Sequence, residues 1–401
     1  MHKPSQDEAH KMNQHTATYD TIIHASLGLA AGLSAAFFAV LAARMGATPW
    51  LLALIASAPY LANLLAPFWV TQARRWGTRG LMVGSLSAAA VVLLLLGWTR
   101  SPLVFTLLVQ LYYLFYGIGD PLYVALAEIV YPERTGSSLG RVQAVFSGVH
   151  ALANALAGWL MDTLGVFTTL ALAALSTGVA AASYLPFPNL TSTDQDGAAS
   201  PWQILRQDSL IRRMVLILMV AGTGMVMMLP TFPLIEVRQL KLDNTRIGIL
   251  LAVNSLTLVA ASWFWGRRLS ETPAHILNAF RLGMIAIMGM AVLYALDGSF
   301  WELLFANILC GIGGAAISIG WRLFAIHHTR YGTDDLSGLH LLTCGVRGLY
   351  APAIGALLIS LWNPAVALWV AAALVLAGML MLPPTQAMAS LTNFTPSPAQ
   401  I

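Results

Sequence analysis

Several ionisable side chains lie inside long apolar stretches of this sequence, where they could bind an anion or carry a proton. The candidates among them are His24, Asp120, Glu128, His150, Arg281, Arg322 and Arg347. An ionisable group at the centre of a membrane helix costs about 2.5–3.5 kcal/mol on insertion scales, so each needs a partner or water. Aspartate and histidine can exchange a proton, whereas arginine stays charged and offers five donors to a carboxylate or phosphate.

The residues nearest the middle of these stretches are Asp120, His150 and Arg347, and with His24 they form the predicted substrate and proton site. Two of them have a purely structural alternative. Asp120 precedes a proline, which disfavours helix in the residue before it, so Asp120 would then cap a kinked helix. His150 would be a neutral histidine bonded to nearby backbone. Arg347 is harder to explain structurally, and we expect it to contact an anion or a carboxylate.

Sequence patterns of enzymes and metal sites are not found in the apolar stretches. None contains His-Glu-x-x-His, Gly-x-Ser-x-Gly or Asp-x-x-Asp, and the chain has no phosphate-binding Gly-x-x-x-x-Gly-Lys-Ser/Thr motif. Cys310 and Cys344 both lie in apolar stretches and imply neither a disulfide framework nor a cysteine metal site. We therefore predict no enzyme, no cofactor and no metal, with an intramembrane enzyme as the competing interpretation.

Composition identifies the class of protein that holds these residues. Only 9% of the 401 residues are charged and 58% are hydrophobic, and the mean hydropathy is +0.72. Soluble globular proteins carry about 25% charged residues, so this chain cannot coat a water-facing surface. A soluble enzyme, a disordered chain and a nucleic-acid binder are excluded, although the pI is near 9.2. The expected partners are the lipid bilayer and a small-molecule substrate, with no nucleic acid, and the expected state is a monomer.

Twelve apolar runs are long enough to cross a bilayer as helices. Spans 1 to 12 are placed at 20–43, 49–72, 80–99, 103–129, 142–163, 166–187, 214–236, 246–266, 275–297, 300–325, 338–361 and 363–384. The predicted fold is an all-α polytopic membrane protein. Its predicted parts are a tail at 1–18, a six-helix bundle at 19–187, a polar linker at 188–213, a second six-helix bundle at 214–384 and a tail at 385–401.

Basic residues in the short loops set the predicted orientation, because cytoplasmic loops carry an excess of lysine and arginine. With the N-terminus inside, the inner segments hold thirteen basic residues and the outer loops hold five. The first eighteen residues are polar and lack the apolar region of a signal peptide. We therefore predict a multi-pass protein of the cell inner membrane with both termini in the cytoplasm.

Landmarks recur in the same order in the two halves, which indicates an internal repeat. Arg75 lies 42 residues before Gly117, and Arg268 lies 43 residues before Gly311. Each of these glycines begins a Gly-Ile-Gly triplet. Parallel repeats of this kind are common in transporters, whose substrate sites lie at the interface of the repeats.

Two pairs of candidate residues occupy matching positions in the repeat. Glu128 and Arg322 each follow the first glycine of their triplet by 11 residues. His150 follows its glycine by 33 residues, and Arg347 follows by 36, or by 33 without three extra residues in the loop after span 10. Opposite or switchable charges at matched positions indicate polar groups that face each other at the repeat interface.

The turn between spans 2 and 3 resembles a motif of the major facilitator superfamily. That motif runs Gly-x-x-x-Asp-Arg/Lys-x-Gly-Arg-Arg/Lys, and the stretch VTQARRWGTR matches it at Arg75, Gly77 and Arg79. The other three defined positions carry Val, Arg and Thr. The segment Tyr131–Gly136 (YPERTG) resembles the loop after span 4 of the same superfamily, and the resemblance covers all twelve spans.

The resemblance implies two pseudo-symmetric six-helix bundles around a cavity lined by spans 1, 2, 4, 5, 7, 8, 10 and 11. It also implies a cytoplasmic gate that holds the inner helix ends together in the outward-facing state. The gate residues are Arg74, Arg75, Gly77, Arg79, Glu128, Arg322 and Glu271. Within the gate we expect Glu128 to pair with Arg74 or Arg75, and Glu271 with Arg322 to form the charge-swapped counterpart.

The resemblance further implies a secondary active transporter that moves a small organic solute by alternating access. Two departures count against proton-coupled antiport. The arginine that proton-coupled members carry in span 4 is Tyr113 here, and the glycine- and proline-rich antiporter motif is missing from Val142–Leu164. Proton coupling, substrate and direction of transport therefore stay open. The alternative is a transporter-like sensor or scaffold, which would bind its ligand without net transport.

Overall fold

The computed structural model of the protein describes 6–119, 122–123, 126, 131, 135–187, 189, 201–271, 275–296, 298–327, 331 and 333–383. Regular secondary structure in these ranges is helical throughout. Nine of the described helices are long and apolar enough to cross a membrane, and three shorter apolar helices accompany them. The prediction of an all-α polytopic membrane protein is confirmed.

The helices follow the predicted spans, except that the described helix of span 4 ends at Tyr116, where the prediction extends to 129. Spans 1 to 6 correspond to Gln6–Leu33 with Phe38–Arg44, Pro49–Leu64 with Ala66–Trp76, Thr78–Trp98, Pro102–Tyr116, Thr135–Thr163 and Val166–Ser183. Spans 7 to 12 correspond to Ser209–Met227 with Thr231–Pro233 and Leu234–Gln239, then Asn244–Glu271, Ile276–Ala295, Phe300–His327, Thr333–Leu361 and Pro364–Leu380. Pro201–Gln207 is a further short helix inside the predicted linker.

Helix ends differ from the apolar boundaries where capping or helix propensity outweighs hydropathy. The first helix begins at Gln6, inside the predicted tail, because glutamate, alanine, lysine and glutamine are good helix formers. The helix of span 7 begins at Ser209, inside the predicted linker. Asp208 caps it by accepting hydrogen bonds from the backbone N–H groups of Leu210 at 2.9 Å and Ile211 at 3.0 Å.

The first span of each half is broken before its C-terminal end. Span 1 is interrupted at Ser34, whose hydroxyl donates to the carbonyl of Ala30 at 2.6 Å, a bond that bends helices. Span 7 is interrupted next to Pro230 and Pro233, because proline lacks a backbone donor and clashes with the preceding turn. The chain then continues as a π-helix over Leu234–Gln239.

The chain packs into two compact units. The first contains Met1–Ala47, Leu61–Asp194 and Leu242–Ala252. In this unit span 1 packs against spans 5 and 6, and span 3 packs against spans 4 and 6. Its buried core includes Ile23, Met82 and Tyr184. Spans 1 and 5 approach closely where Gly28 lies against the backbone of Phe146 and Gly32 lies against Ala153, and such small residues are usual between membrane helices.

The second unit contains Thr48–Tyr60, Gln195–Lys241 and Val253–Ile401. Here span 7 packs against spans 11 and 12, and span 9 packs against spans 10 and 12. Each of these pairings is the one in the first unit shifted by six spans. The repeat that the sequence indicates is therefore present in the way the helices pair within each unit.

Candidate functional site

Arg347 lies half-buried on span 11 of the second unit. Its Nη1 donates to the carbonyl of Leu218 at 2.7 Å, and its Nη2 contacts Cys344 Sγ at 3.4 Å. The guanidinium rests against Gly222, where a side chain would occupy the same space. Among the described residues, Nε has no hydrogen-bond partner and no carboxylate lies within ion-pair distance of Arg347. An arginine in this state can accept an anion from outside the chain.

Aromatic and polar side chains lie near Arg347 in the same unit. The His340 ring stacks on Trp321 with 4.7 Å between ring centroids, and its Nε2 lies 3.5 Å from the sulfur of Cys344. Tyr60 packs against Gly348, the next residue after Arg347. The surroundings of Arg347 are therefore those expected for an amphiphilic ligand with one negative group.

His24 belongs to a buried polar cluster in the first unit. Its Nδ1 lies 2.9 Å from the carbonyl oxygen of Asp20 and 3.4 Å from Asp20 Oδ1. The Tyr123 hydroxyl donates to both carboxylate oxygens of Asp20, at 2.8 and 2.9 Å, and Arg141 Nη2 lies 3.8 Å from Oδ2. Burial raises the pKa of the Tyr131 hydroxyl to about 12, and the charge of Asp20 acts in the same direction.

Asp20 is the centre of that cluster, and the sequence analysis did not single it out. It has no exposed surface. Asp20 is the first residue of the apolar run of span 1, so it has the position of a boundary residue. One signal was available: Asp20 and His24 are four residues apart, which places them on the same face of a helix.

A second buried carboxylate, Glu236, lies in the π-helix of span 7 and was also missed. Tyr294 of span 9 donates its hydroxyl proton to Glu236 Oε1 at 2.8 Å. Asn307 of span 10 donates through Nδ2 to the Tyr294 hydroxyl at 2.9 Å and to the Leu303 carbonyl at 2.9 Å. Within the described part of the chain, no arginine, lysine or histidine lies within ion-pair distance of Glu236.

His150 on span 5 is part-buried and stacks parallel to Phe146, with 5.8 Å between the ring centroids. Its ring has no hydrogen bond to the residues that the structure describes. The structural alternative, a neutral histidine bonded to nearby backbone, is therefore not the arrangement seen among these residues. Asp120 lies outside the described residues, and its place in the site stays a prediction.

Two residues of the predicted gate shape the turn between spans 2 and 3. Gly77 has φ +80°, a conformation that favours glycine, and a side chain there would meet Asn189. The backbone N–H of Arg79 donates to Asn189 Oδ1 at 3.2 Å, and its Nη1 lies 3.4 Å from the carbonyls of Leu185 and Phe187. The turn is therefore tied to the end of span 6.

The charge pairs expected at the gate are not tested by the structure. Arg75 and Arg322 are exposed. Glu128 lies outside the described residues, as do the side chains of Arg74 and Glu271. Both expected pairings stay predictions.

A polar cluster links the C-terminal ends of spans 1 and 5 to the N-terminal end of span 8 within the first unit. Asp162 accepts hydrogen bonds from Asn244 Nδ2 at 2.8 Å and from the backbone N–H and hydroxyl of Thr245, both at 2.7 Å. Arg44 donates through Nε to Asn244 Oδ1 at 2.9 Å and through Nη2 to the Leu242 carbonyl at 2.6 Å. Asp162 therefore caps the first turn of span 8, where a negative charge is favourable.

Comparison with known proteins gives a family and a fold. Residues 21–340 match the sequence model of the Major Facilitator Superfamily. No curated protein matches the chain by its sequence.

Three solved structures illustrate the likeness. A mutant of the nucleoside transporter NupG gives a TM-score of 0.77 at 11% identity and covers 92% of this chain and 100% of its own. A bacterial homologue of the human lysosomal transporter Spinster, in an inward-facing and unoccupied conformation, has a TM-score of 0.69 and 12% sequence identity. The match covers 96% of this chain and 99% of the homologue. The human organic anion transporter MFSD10 (TETRAN) has a TM-score of 0.64 and 17% sequence identity, and the match covers 92% of this chain and 99% of that transporter. At such identities the likeness shows the fold alone.

Proposed function

Because the chain belongs to the major facilitator superfamily, we propose that it is a secondary active transporter of a small organic solute in the cell inner membrane. Two helix bundles would expose a central site to either side in turn, driven by differential binding of substrate and any coupling ion. The bias of basic residues supports cytoplasmic termini and a cytoplasmic linker.

The observation that carries the proposal is the state of Arg347. A permanent positive charge on a membrane helix is costly unless it is paired. The described chain supplies only a carbonyl and a thiol as partners, and Nε is left without one. We therefore propose that Arg347 binds the negative group of the substrate, and that His340, Trp321 and Tyr60 contact the rest of it. The substrate class is an amphiphilic organic anion.

Coupling to a proton is part of the proposal, with Asp120 and His150 as the carriers that sequence position favours. The gate assigned to Arg75, Gly77 and Arg79, with Arg74, Glu128, Glu271 and Arg322, belongs to the same proposal. We also expect the Asp162 cluster, which joins span 5 to span 8, to break and re-form during the transport cycle.

The test begins with a growth and uptake screen on a deletion strain, followed by flux into proteoliposomes with and without a proton gradient. Arg347→Lys keeps the charge but loses the planar donor fork. It should weaken binding of a carboxylate- or phosphate-bearing solute by about 1–3 kcal/mol, roughly a 5- to 150-fold rise in apparent Kd. Arg281→Lys is the matched control, because Arg281 on span 9 already donates to Asn278 and Pro383. Equal effects of the two substitutions would contradict the assignment.

The competing function is a sensor or scaffold with the same fold. It would bind the solute that the screen identifies, with the same dependence on Arg347, but would move none of it across the membrane. Saturable binding without uptake or exchange in proteoliposomes would therefore show that the protein is a sensor or scaffold and not a transporter.

A further inference from the structure

We propose that Glu236 is a proton-binding site that couples the transport cycle to the proton gradient. The inference rests on the proposed transport function and names a carrier that the sequence did not indicate. Glu236 is 7% exposed and lies in a membrane-spanning segment, Ser209–Gln239. A buried carboxylate without a cation is costly as an anion, and taking up a proton removes that cost.

Among the described residues, the groups that face Glu236 supply hydrogen bonds but no positive charge. From span 9, Tyr294 donates to Oε1, and from span 10, Asn307 supports that hydroxyl. Within the described residues, Cys310 is a further titratable group near Tyr294. On the π-helix itself the charged neighbour is Arg238, which is exposed. Within the described chain, neutralisation of Glu236 by an ion pair is therefore not available.

The backbone around Glu236 is π-helical, a conformation that is often associated with functional sites. The N–H of Leu240 donates to the carbonyl of Ile235 at 2.9 Å, five residues back, which is the π-helical pattern. π-helical turns are rare in proteins, and a large share of those that occur lie at functional sites. This one follows two prolines and turns the Glu236 side chain toward spans 9 and 10. In the predicted orientation it lies at the outer end of span 7, where a proton from outside would arrive first.

The proton site can be tested without knowing the substrate. Infrared difference spectra of the purified protein in lipid, recorded between acidic and alkaline pH, report protonated carboxyl groups. Wild-type protein should lose a carboxyl band as the pH rises, and Glu236→Gln should lack that band. Glu302→Gln is the matched control, because Glu302 is an exposed glutamate at the start of span 10, and it should keep the band. Identical spectra for Glu236→Gln and wild type would overturn the proposal.

Two further measurements keep the result interpretable. Glu236→Asp retains a carboxyl and should keep a titrating band at a shifted pH, which separates loss of the site from misfolding. With the solute found by the screen, Glu236→Gln should lose at least about tenfold of gradient-driven accumulation while exchange of internal for external solute continues. Full accumulation in Glu236→Gln would contradict coupling. A wild-type protein that shows the band but moves no solute would contradict the transport proposal instead.

Discussion

Asp20 and Glu236 are buried carboxylates in the first span of each half, and a tyrosine from a neighbouring span donates to each. Asp20 lies 3.4 Å from His24 and 3.8 Å from Arg141, and both of its carboxylate oxygens lie within hydrogen-bond distance of the Tyr123 hydroxyl, which donates one bifurcated bond. Glu236 has one bond from Tyr294 and, in the described structure, no cation. Burial alone does not distinguish these two groups; their neighbours do. Asp20 is compensated as an anion, whereas Glu236 is arranged to take up a proton.

The largest expected difference is in stability. Asp20→Asn replaces a fully buried carboxylate that accepts a hydrogen bond from Tyr123 by a neutral amide, so the free energy of unfolding should fall by about 1.5–3 kcal/mol, the range for a hydrogen bond to a charged group. Glu236→Gln strands no cation and keeps an acceptor for Tyr294, so its loss should stay under about 1 kcal/mol. Urea unfolding of the purified proteins in detergent measures both. Equal losses would remove the distinction between the two carboxylates.

The tyrosines should differ in their effect on titration. Tyr294→Phe removes a donor that favours the ionised form of Glu236, so the carboxyl band should persist to higher pH. A hydrogen bond to a charged group contributes about 1.5–3 kcal/mol, which corresponds to an upward shift of about 1–2 pH units. Tyr123→Phe is the control in the other unit and should lower stability without moving that titration. A shift to lower pH in Tyr294→Phe would reverse the assigned role of the hydroxyl.

The smallest effect is expected from Arg141→Gln. The pair with Asp20 is long and the arginine is half-exposed, so its contribution to the free energy of unfolding should be under about 1 kcal/mol. Salt should reduce it further, because exposed charges are screened. Unfolding at low and high ionic strength measures this. A loss as large as that of Asp20→Asn would make the arginine, and not Tyr123 with His24, the main compensation for Asp20.

How far the site could be predicted depended on where each residue lies in its apolar run. Arg347 and His150 interrupt long apolar runs and were identified from that position. Asp20 and Glu236 are the first residue of the span 1 run and the last residue of the span 7 run, where a charged residue is ordinary. Hydropathy cannot tell whether such a boundary residue is covered by neighbouring helices.

By itself, the sequence determined that this is an all-α polytopic membrane protein of the major facilitator superfamily. The spans could be counted because the bilayer demands about twenty apolar residues per helix, whereas the superfamily followed from the resemblance of the turn at 70–79 to its motif. Only the tertiary structure decided which buried charges have partners. Tyr123 is 103 residues from Asp20, and Tyr294 is 58 residues from Glu236. Bonds over such separations exist only because helix packing brings the spans together, and no local pattern encodes them.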